Sequence, residues 1–369
     1  MALTFDTITN NLNDTKLKLI IKKIFDNQRL SFHEGLYLYL HAGLPLLGTL
    51  AHFIKGKRHG KKVSFIKNIH LEVTNRCINK CAFCSFRSQS EHDVYELSVE
   101  DIFNIVDHHA SRGINEIHIV GGIDPEKGLD FWMPVIQKMK VLYPAIHIKA
   151  FTAAELDFIF KKSDVSIDDG LRLLKKSGLD SIPGGGAEIF VETIRQKLFP
   201  DKISSQRWLE IHQKAHLADI PSNATMLYGH IETIQDRVTH MEVLRDLQDS
   251  TKGFNAFIPL KFKNKGNALK NVNESPLYED LKVFAMARIF LDNIPHIKAY
   301  WPMLGKENAM MTTNFGADDI DGTINNTTQI YARAGAADSK PQMNPSEMKC
   351  LIESYRGIAI ERDALYKKI

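Results

Sequence analysis

Three of the four cysteines of this chain lie within one short segment. Cys77, Cys81 and Cys84 follow a predicted strand in TNRCINKCAFCSF. Thiolates this close together on one loop can bind one soft metal centre. Structural zinc usually takes four ligands from two separated pairs, and Cys350 is alone and distant. Three cysteines therefore favour a [4Fe–4S] cluster that leaves one iron without a protein ligand, which is an open and reactive coordination site.

Glycines and carboxylates follow other predicted strands. Gly121 and Gly122 end EIHIVGG, where they either form a tight turn or let the backbone approach a ligand. Glu155 in KAFTAAE and Glu188 in IPGGGAEIF could accept hydrogen bonds from a ligand. Each could equally be a carboxylate that the dipole at a helix start stabilises.

An aromatic residue, an imidazole and an ammonium group end the next two predicted strands. Tyr228 and His230 lie in LYGHIE, where adenine or an aromatic substrate could stack or bind. A buried core histidine is the alternative interpretation of His230. Lys261 ends the following strand, in FIPLKF.

The elements that must position these residues alternate between strands and helices. Candidate strands are 69–73, 116–120, 147–151, 181–182, 224–228 and 256–260. This alternation predicts a parallel sheet covered by helices, either an incomplete (β/α) barrel of six units or a doubly wound open sheet. Polar residues follow nearly every strand at its carboxyl end, and this pattern favours the α/β barrel.

Composition and patterning suggest a globular enzyme with two appendages. Lys plus Arg number 47 and Asp plus Glu 44, a net charge of +3 that does not favour nucleic acid as a partner. The apolar stretch 36–54 is interrupted by His41, Pro45 and His52, so two short helices are favoured over a membrane span. No secretory signal is visible, and a cytoplasmic location is expected. The predicted domains are a helical extension at 1–64, a barrel at 65–300 and a C-terminal extension at 301–369.

The cysteine spacing, with Phe83 just before the last cysteine, resembles the radical S-adenosylmethionine superfamily. The resemblance implies a partial (β/α)6 TIM-like barrel, a [4Fe–4S] cluster held by the three cysteines, and S-adenosylmethionine bound to the open iron. It also implies that the loop of Gly121 and Gly122 holds the methionine amino group. Glu155 and Glu188 would then contact the ribose or the ammonium group of that cosubstrate.

The wider set HIVGGIDP, KAFTAAE, IPGGGAEIF, TMLYGHIET, GFNAFIPLKF and GADDIDGT resembles the futalosine-pathway enzymes of menaquinone biosynthesis. Enzymes that make the deazaflavin chromophore are related to this group. Segments 151–155 and 257–260 and the DDIDGT stretch favour the aminofutalosine synthase type over the dehypoxanthine futalosine cyclase. Residues 263–267 and Asp124 depart from the expected pattern, which leaves the substrate contacts open.

The synthase type implies that a 5′-deoxyadenosyl radical adds to 3-[(1-carboxyvinyl)oxy]benzoate. Rearrangement and loss of a carboxylate then give 6-amino-6-deoxyfutalosine. We expect His230 and Lys261 to contact this dianionic substrate, because both follow strand ends. The implied reductant is a flavodoxin or ferredoxin. An electron carrier and a zinc-stabilised scaffold are the alternatives from other classes.

Overall fold

The structure is a computed structural model that describes residues 4–323, 329–335 and 341–369. Residues 324–328 and 336–340 lie outside the described residues. The described strands are β1 (Lys62–Phe65), β2 (Asn68–Leu71), β3 (Glu116–Ile119), β4 (His147–Ala150), β5 (Ser222–Tyr228), β6 (Phe254–Lys261), β7 (His296–Ala299), β8 (Asp319–Ile320) and β9 (Ile358–Glu361).

Helices precede, connect and follow these strands. They are α1 (Phe5–Thr9), α2 (Thr15–Phe25), α3 (Phe32–His41), α4 (Leu44–His59), α5 (Val99–Ala110), α6 (Leu129–Leu142), α7 (Ala153–Lys162), α8 (Ile167–Ser177), α9 (Glu192–Leu198), α10 (Ser205–Leu217), α11 (Ile234–Thr251), α12 (Leu277–Phe290), α13 (Trp301–Leu304), α14 (Lys306–Thr312), α15 (Ile330–Arg333) and α16 (Pro345–Ser354). Two short 3₁₀ helices are Glu91–Asp93 and Thr313–Phe315.

The strands form a curved parallel ladder in chain order. β2, β3 and β4 pair in sequence, and single bridges at Ser181 and Ile182 connect β4 to β5. From there β5, β6, β7 and β8 pair in sequence, and all of these pairings are parallel. The predicted partial barrel is therefore confirmed, and the six predicted strands all lie in it.

The ladder extends beyond the six predicted units. β7 and β8 continue the parallel order, β1 pairs with β8, and β9 pairs with β1. These strands escape sequence reasoning because β8 has only two residues, and β1 and β7 are short and carry charged or polar side chains. β1 and β7 alternate between polar and apolar residues, but over only four residues each, which is the shortest run that predicts a strand.

The segment that contains β1 and β2 pairs with both ends of the curved series of strands. β1 pairs with β8, whereas β2, which begins after only Ile66 and Lys67, pairs with β3. The Thr323 N–H donates to the Ile66 carbonyl at 3.0 Å, at the point where the two ends meet. No described ladder joins β2 directly to β8.

Helix boundaries follow the capping signals in the sequence. Ser31 with Glu34 and Ser98 with Asp101 form capping boxes at the starts of α3 and α5. Gly178 ends α8 in the left-handed conformation at φ +115°. The stretch 36–54 divides between α3 and α4, as predicted, and no described helix is long and apolar enough to cross a bilayer. The domain boundaries at 64 and 300 stay predictions, and the ladder draws strands from all three segments.

Candidate active site

A cavity of about 230 Å³ lies at the carboxyl ends of the strands. Its walls bring together residues that are far apart in the sequence, which is the arrangement expected at this face of a barrel. Of the predicted site residues, Cys77, Cys81, Cys84, Phe83, Gly121, Glu155, Glu188 and Lys261 line it. We call this space the cluster cavity.

The three cysteines are half-buried on the loop after β2, and backbone N–H groups point at two of their sulfurs. The N–H groups of Asn79 and Ile123 donate to Cys77, and that of Arg87 lies 3.4 Å from Cys84 Sγ. Burial raises the pKa of the Cys77 thiol and raises that of Cys81 to about 12. Such donors stabilise thiolates, so the loop fits three cysteine ligands to iron.

The spacing of the sulfurs argues against a single ion. Among the described residues, three ligand atoms lie within 4.8 Å of one another only at His59, His296 and Asp318, at the opposite end of the barrel. Ligands of one zinc ion, each about 2.3 Å from the metal, must be that close. The three cysteine sulfurs lie farther apart than this, a spacing that a centre of several metal atoms can span.

The cysteine loop is anchored from both sides. The Ala82 N–H donates to the Leu198 carbonyl at 2.7 Å, and the Ala82 carbonyl accepts from the Ala268 N–H at 2.9 Å. Ser85 donates to the Lys265 carbonyl at 2.6 Å. The segment 263–267, which departs from the family pattern, thus helps to hold the cysteine loop in place.

Glu188 forms an ion pair that the sequence did not suggest. Lys202 Nζ lies 2.5 Å from Glu188 Oε1 and also lines the cavity, 5.6 Å from the centroid of the Phe83 ring. Burial alone would lower the pKa of Lys202, but Glu188 and Cys81 raise it above its usual value. Lys202 follows α9, far from any strand end, so strand-end reasoning missed it.

Glu155 caps a helix and also holds the glycine loop. Its Oε2 accepts from the Thr152 N–H at 2.7 Å in the capping box of α7, and its Oε1 accepts from the Gly121 N–H at 3.2 Å. Burial raises the pKa of this carboxyl to about 7. The helix-start interpretation is thus correct in geometry, and the carboxyl also lies in the cavity wall.

The two glycines have different surroundings. Gly121 lines the cluster cavity, whereas Gly122 does not. A Cβ on Gly122 would lie 2.1 Å from the Arg76 carbonyl oxygen, and the Gly122 N–H donates to the Thr74 carbonyl at 2.8 Å. The close approach that requires glycine at 122 is therefore to the cysteine loop, and a ligand contact of this residue stays a prediction.

Tyr228 and His230 do not line the cluster cavity, contrary to the sequence-based expectation. Tyr228 is fully buried, and its hydroxyl lies 2.9 Å from Asp280 Oδ1. The turn at Gly229, with φ +88°, folds His230 back against its own strand. His230 Nε2 lies 3.1 Å from the Leu227 carbonyl oxygen, and Nδ1 lies 3.0 Å from Glu232 Oε2.

Lys261 does line the cluster cavity, but its ammonium group is already engaged. Lys261 Nζ donates to the Ser275 carbonyl and to Asp280 Oδ2, both at 2.7 Å. The same carboxylate accepts from Tyr228, so the two strand ends share one buried acid. The role of Lys261 in substrate binding stays a prediction.

A second space of about 80 Å³ lies next to the cluster cavity, inside the barrel. The two share five wall residues, which are Val120, Thr152, Gly185, Leu260 and Ile330. Its polar side chains include His70, Glu116, His118, Lys149, Lys298 and Asp321. We call it the polar chamber. The sequence signal for it was available, because buried strands of parallel sheets are normally apolar throughout and β2, β3, β4 and β7 are not.

Comparison with known proteins identifies families and relatives that are similar to this chain. Residues 71–244 match the Radical SAM superfamily, and residues 251–345 match the CofH/MqnC C-terminal region. The chain is 38% identical to an aminodeoxyfutalosine synthase of Thermus thermophilus, over 97% of both chains. It is 36% identical to the synthase of Streptomyces coelicolor, over 82% of this chain and 81% of that one.

A second group of relatives consists of proteins named as 4-hydroxyphenyl transferases. The chain is 34% identical, over 90% of its length and 87% of the relative, to a 5-amino-6-(D-ribitylamino)uracil–L-tyrosine 4-hydroxyphenyl transferase of Methanosarcina mazei. Among solved structures, methylornithine synthase superposes with a TM-score of 0.73 at 15% identity, over 92% of this chain and 96% of that one. The FeFe-hydrogenase maturase HydG of Carboxydothermus hydrogenoformans superposes with a TM-score of 0.74 at 16% identity, over 99% and 83%.

The fold, the cysteine loop and the full-length similarity all indicate the same family. The two solved structures support the fold alone, whereas the curated relatives match along nearly the whole chain. The chain therefore belongs to the radical SAM superfamily, whose enzymes use a [4Fe–4S] cluster and S-adenosylmethionine, and within it to the branch that carries the CofH/MqnC C-terminal region.

Proposed function

We propose that the protein is an aminodeoxyfutalosine synthase, which joins the adenosyl group of S-adenosylmethionine to 3-[(1-carboxyvinyl)oxy]benzoate and yields 6-amino-6-deoxyfutalosine. The observation that carries this proposal is the 38% identity to the Thermus thermophilus synthase over 97% of both chains. The adjacency of the cluster cavity and the polar chamber supports it, because two substrates must be bound side by side.

The proposed roles of the residues follow from their positions. Cys77, Cys81 and Cys84 would hold the cluster, which, with S-adenosylmethionine bound, supplies a 5′-deoxyadenosyl radical. Phe83 and Gly121 would form the wall against the cosubstrate. These residues position the reactants and exclude water, which is the main task of a protein around a reactive radical.

We also expect an acidic one-electron donor such as a flavodoxin or ferredoxin to reduce the cluster. The cysteine loop exposes Lys80 and leaves Ile78 42% exposed, with Arg76 half-buried beside them. Positive charge around an apolar residue suits a transient contact with an acidic carrier. A cytoplasmic location, where such carriers occur, stays a prediction.

The test is anaerobic reconstitution with iron and sulfide, followed by reduction with dithionite in the presence of S-adenosylmethionine and 3-[(1-carboxyvinyl)oxy]benzoate. We expect mass spectrometry to detect an adduct of the adenosyl group with the benzoate. Cys77→Ala should abolish the adduct and lower the iron content, whereas Cys350→Ala, at an exposed cysteine outside the loop, should leave both unchanged.

Other products would point to the other enzymes of this branch. Free 5′-deoxyadenosine without an adduct would favour the dehypoxanthine futalosine cyclase. A product formed only from tyrosine and 5-amino-6-(D-ribitylamino)uracil would favour the transferase named among the relatives. Zinc bound in place of iron would contradict the proposal altogether.

A further inference from the structure

The polar chamber has two chemically different sides. The apolar residues Val120, Leu260 and Ile330 line both the chamber and the cluster cavity. Glu116, His118, Lys149 and Lys298 lie within β3, β4 and β7 and line the chamber but not the cluster cavity, so they lie deeper in the barrel. Such a space suits a flat apolar ring with a polar group at its far end.

Three polar side chains stand side by side on neighbouring strands. His118 on β3 is in register with His70 on β2 and with Lys149 on β4. The His70 and His118 rings are 4.7 Å apart between centroids. These side chains therefore present one polar surface to the chamber.

The cations in the chamber already face carboxylates. Lys149 Nζ lies 2.5 Å from Glu116 Oε2, and Lys298 Nζ lies 3.0 Å from Asp321 Oδ1. His118 differs from them, because its Nε2 is buried and has no hydrogen-bond partner among the described residues. A buried polar atom without a partner costs about 1–3 kcal/mol, so a native structure that keeps one calls for an explanation.

We propose that His118 Nε2 binds the ring carboxylate of the benzoate substrate, with Lys149 contributing positive charge beside it. This inference rests on the proposed function and adds the orientation of the substrate. The alkene of the substrate must lie near the cluster cavity, where the adenosyl group is formed. The ring carboxylate is meta to the ether oxygen and takes no part in the bond changes, so it can extend away from the alkene into the polar chamber.

The charge state of His118 agrees with this role. Burial lowers the pKa of the imidazole well below its usual value, and His70 and Lys149 lower it further. Glu116 and Asp321 act in the opposite direction. Near neutral pH, His118 is therefore a neutral hydrogen-bond donor, and it must carry its proton on Nε2 to meet a carboxylate.

The test compares two ligands on two proteins. The ligands are 3-[(1-carboxyvinyl)oxy]benzoate and the analogue that lacks the ring carboxylate, (1-carboxyvinyl)oxybenzene. Calorimetry on the reconstituted enzyme with S-adenosylmethionine and no reductant gives the dissociation constants, and KM under turnover gives a second readout. For the wild type we expect removal of the ring carboxylate to weaken binding about 10- to 100-fold.

We call the ratio of the two dissociation constants the discrimination. In His118→Phe, which keeps a flat ring, this ratio should fall at least fivefold, because the ring carboxylate of the substrate loses the neutral hydrogen-bond donor at residue 118. His118→Gln keeps a donor and should retain part of the discrimination. His108→Phe is the matched control, since His108 is exposed on α5 and does not line the chamber. This control variant should show the same ratio of dissociation constants for the two ligands as the wild type.

The outcomes distinguish a failure of the inference about His118 from a failure of the proposed function. If the wild type forms the adduct and both His118 variants keep its full discrimination, the inference about His118 is wrong and the proposed function stands. If the wild type forms no adduct although it cleaves S-adenosylmethionine, the inference falls together with the proposed function. Iron content and circular dichroism of each variant identify a protein that has failed to fold, and His118→Gln then decides the outcome.

Discussion

Glu155 makes the stability of the protein depend on pH in a direction unusual for a carboxylate. Most paired carboxylates in folded proteins have lowered pKa values and stabilise the fold above pH 4 or 5. Burial instead raises the pKa of Glu155 from 4.5 to about 7. Between these two values the folded protein binds more protons than the unfolded chain, so this residue's contribution to stability falls as pH rises.

We therefore expect Glu155→Gln to remove a pH-dependent loss of stability. Glutamine has one side-chain oxygen, which can still accept from the Thr152 N–H and keep the capping box, whereas the bond from the Gly121 N–H is lost at every pH. The wild type should lose on the order of 3 kcal/mol more than the variant between pH 4.5 and 7. Urea denaturation of both proteins at several pH values measures this difference, and parallel curves would show that Glu155 titrates normally.

Single residues differ in how far the sequence reveals them. The cysteines could be identified from spacing alone, because their ligand role depends on a local loop. Lys202 could not, since it meets Glu188 only through tertiary packing. His118 is visible in the sequence as a polar residue within a strand, but only the strand register shows which side chains it meets inside the barrel. The position of His230 away from the cluster cavity was not predictable, because strand-end position does not show which way the next turn folds a side chain.

At the scale of elements, the cysteine loop and the glycine loop behave as one packed unit. The Ile78 N–H donates to the Ile123 carbonyl at 3.1 Å, and the Gly122 N–H donates to the Thr74 carbonyl at 2.8 Å. Backbone thus packs on backbone with no room for a side chain at residue 122. The position of the three thiols depends on this contact.

Gly122→Ala should therefore damage the cluster site more than the fold. A Cβ would lie 2.1 Å from the Arg76 carbonyl oxygen, one residue before Cys77, so the cysteine loop must move. We expect the reconstituted iron content to fall by at least half, with a loss of stability of about 1–3 kcal/mol. Gly56→Ala is the matched control, because no atom lies within 4 Å of its added Cβ. Equal iron contents in the two variants would contradict this account.

At the scale of the whole molecule, both terminal segments contribute strands to the parallel sheet. The strand rhythm predicted the first six units, since each carries an apolar run or ends at a readable turn. The closing strands β1, β8 and β9 are short and partly charged, so their partners are fixed by ion pairs and long-range pairing. Such information is not local, and no sequence window contains it.

One buried ion pair ties the C-terminal strand to the barrel. Arg362, directly after β9, donates from Nε to Asp319 Oδ1 at 2.8 Å and from Nη2 to Oδ2 at 2.6 Å. Its backbone N–H also donates to the Phe65 carbonyl at 3.0 Å. Both side chains are buried, and Lys298, which lines the polar chamber, lies 3.6 Å from the same carboxylate.

Arg362→Met should destabilise the whole protein, because it leaves Asp319 buried without its bidentate partner. We expect a loss of about 3 kcal/mol in the free energy of unfolding, at the lower end for a broken buried pair because Lys298 and Ser64 still contact Asp319. Adding Asp319→Asn should recover part of this loss, since the uncompensated charge is removed. Arg356→Met, at an exposed arginine of the same segment, should change stability by less than about 0.5 kcal/mol. Denaturant unfolding of the four proteins measures these differences, and equal losses in the two single arginine variants would mean that the pair does not hold β9 to the barrel.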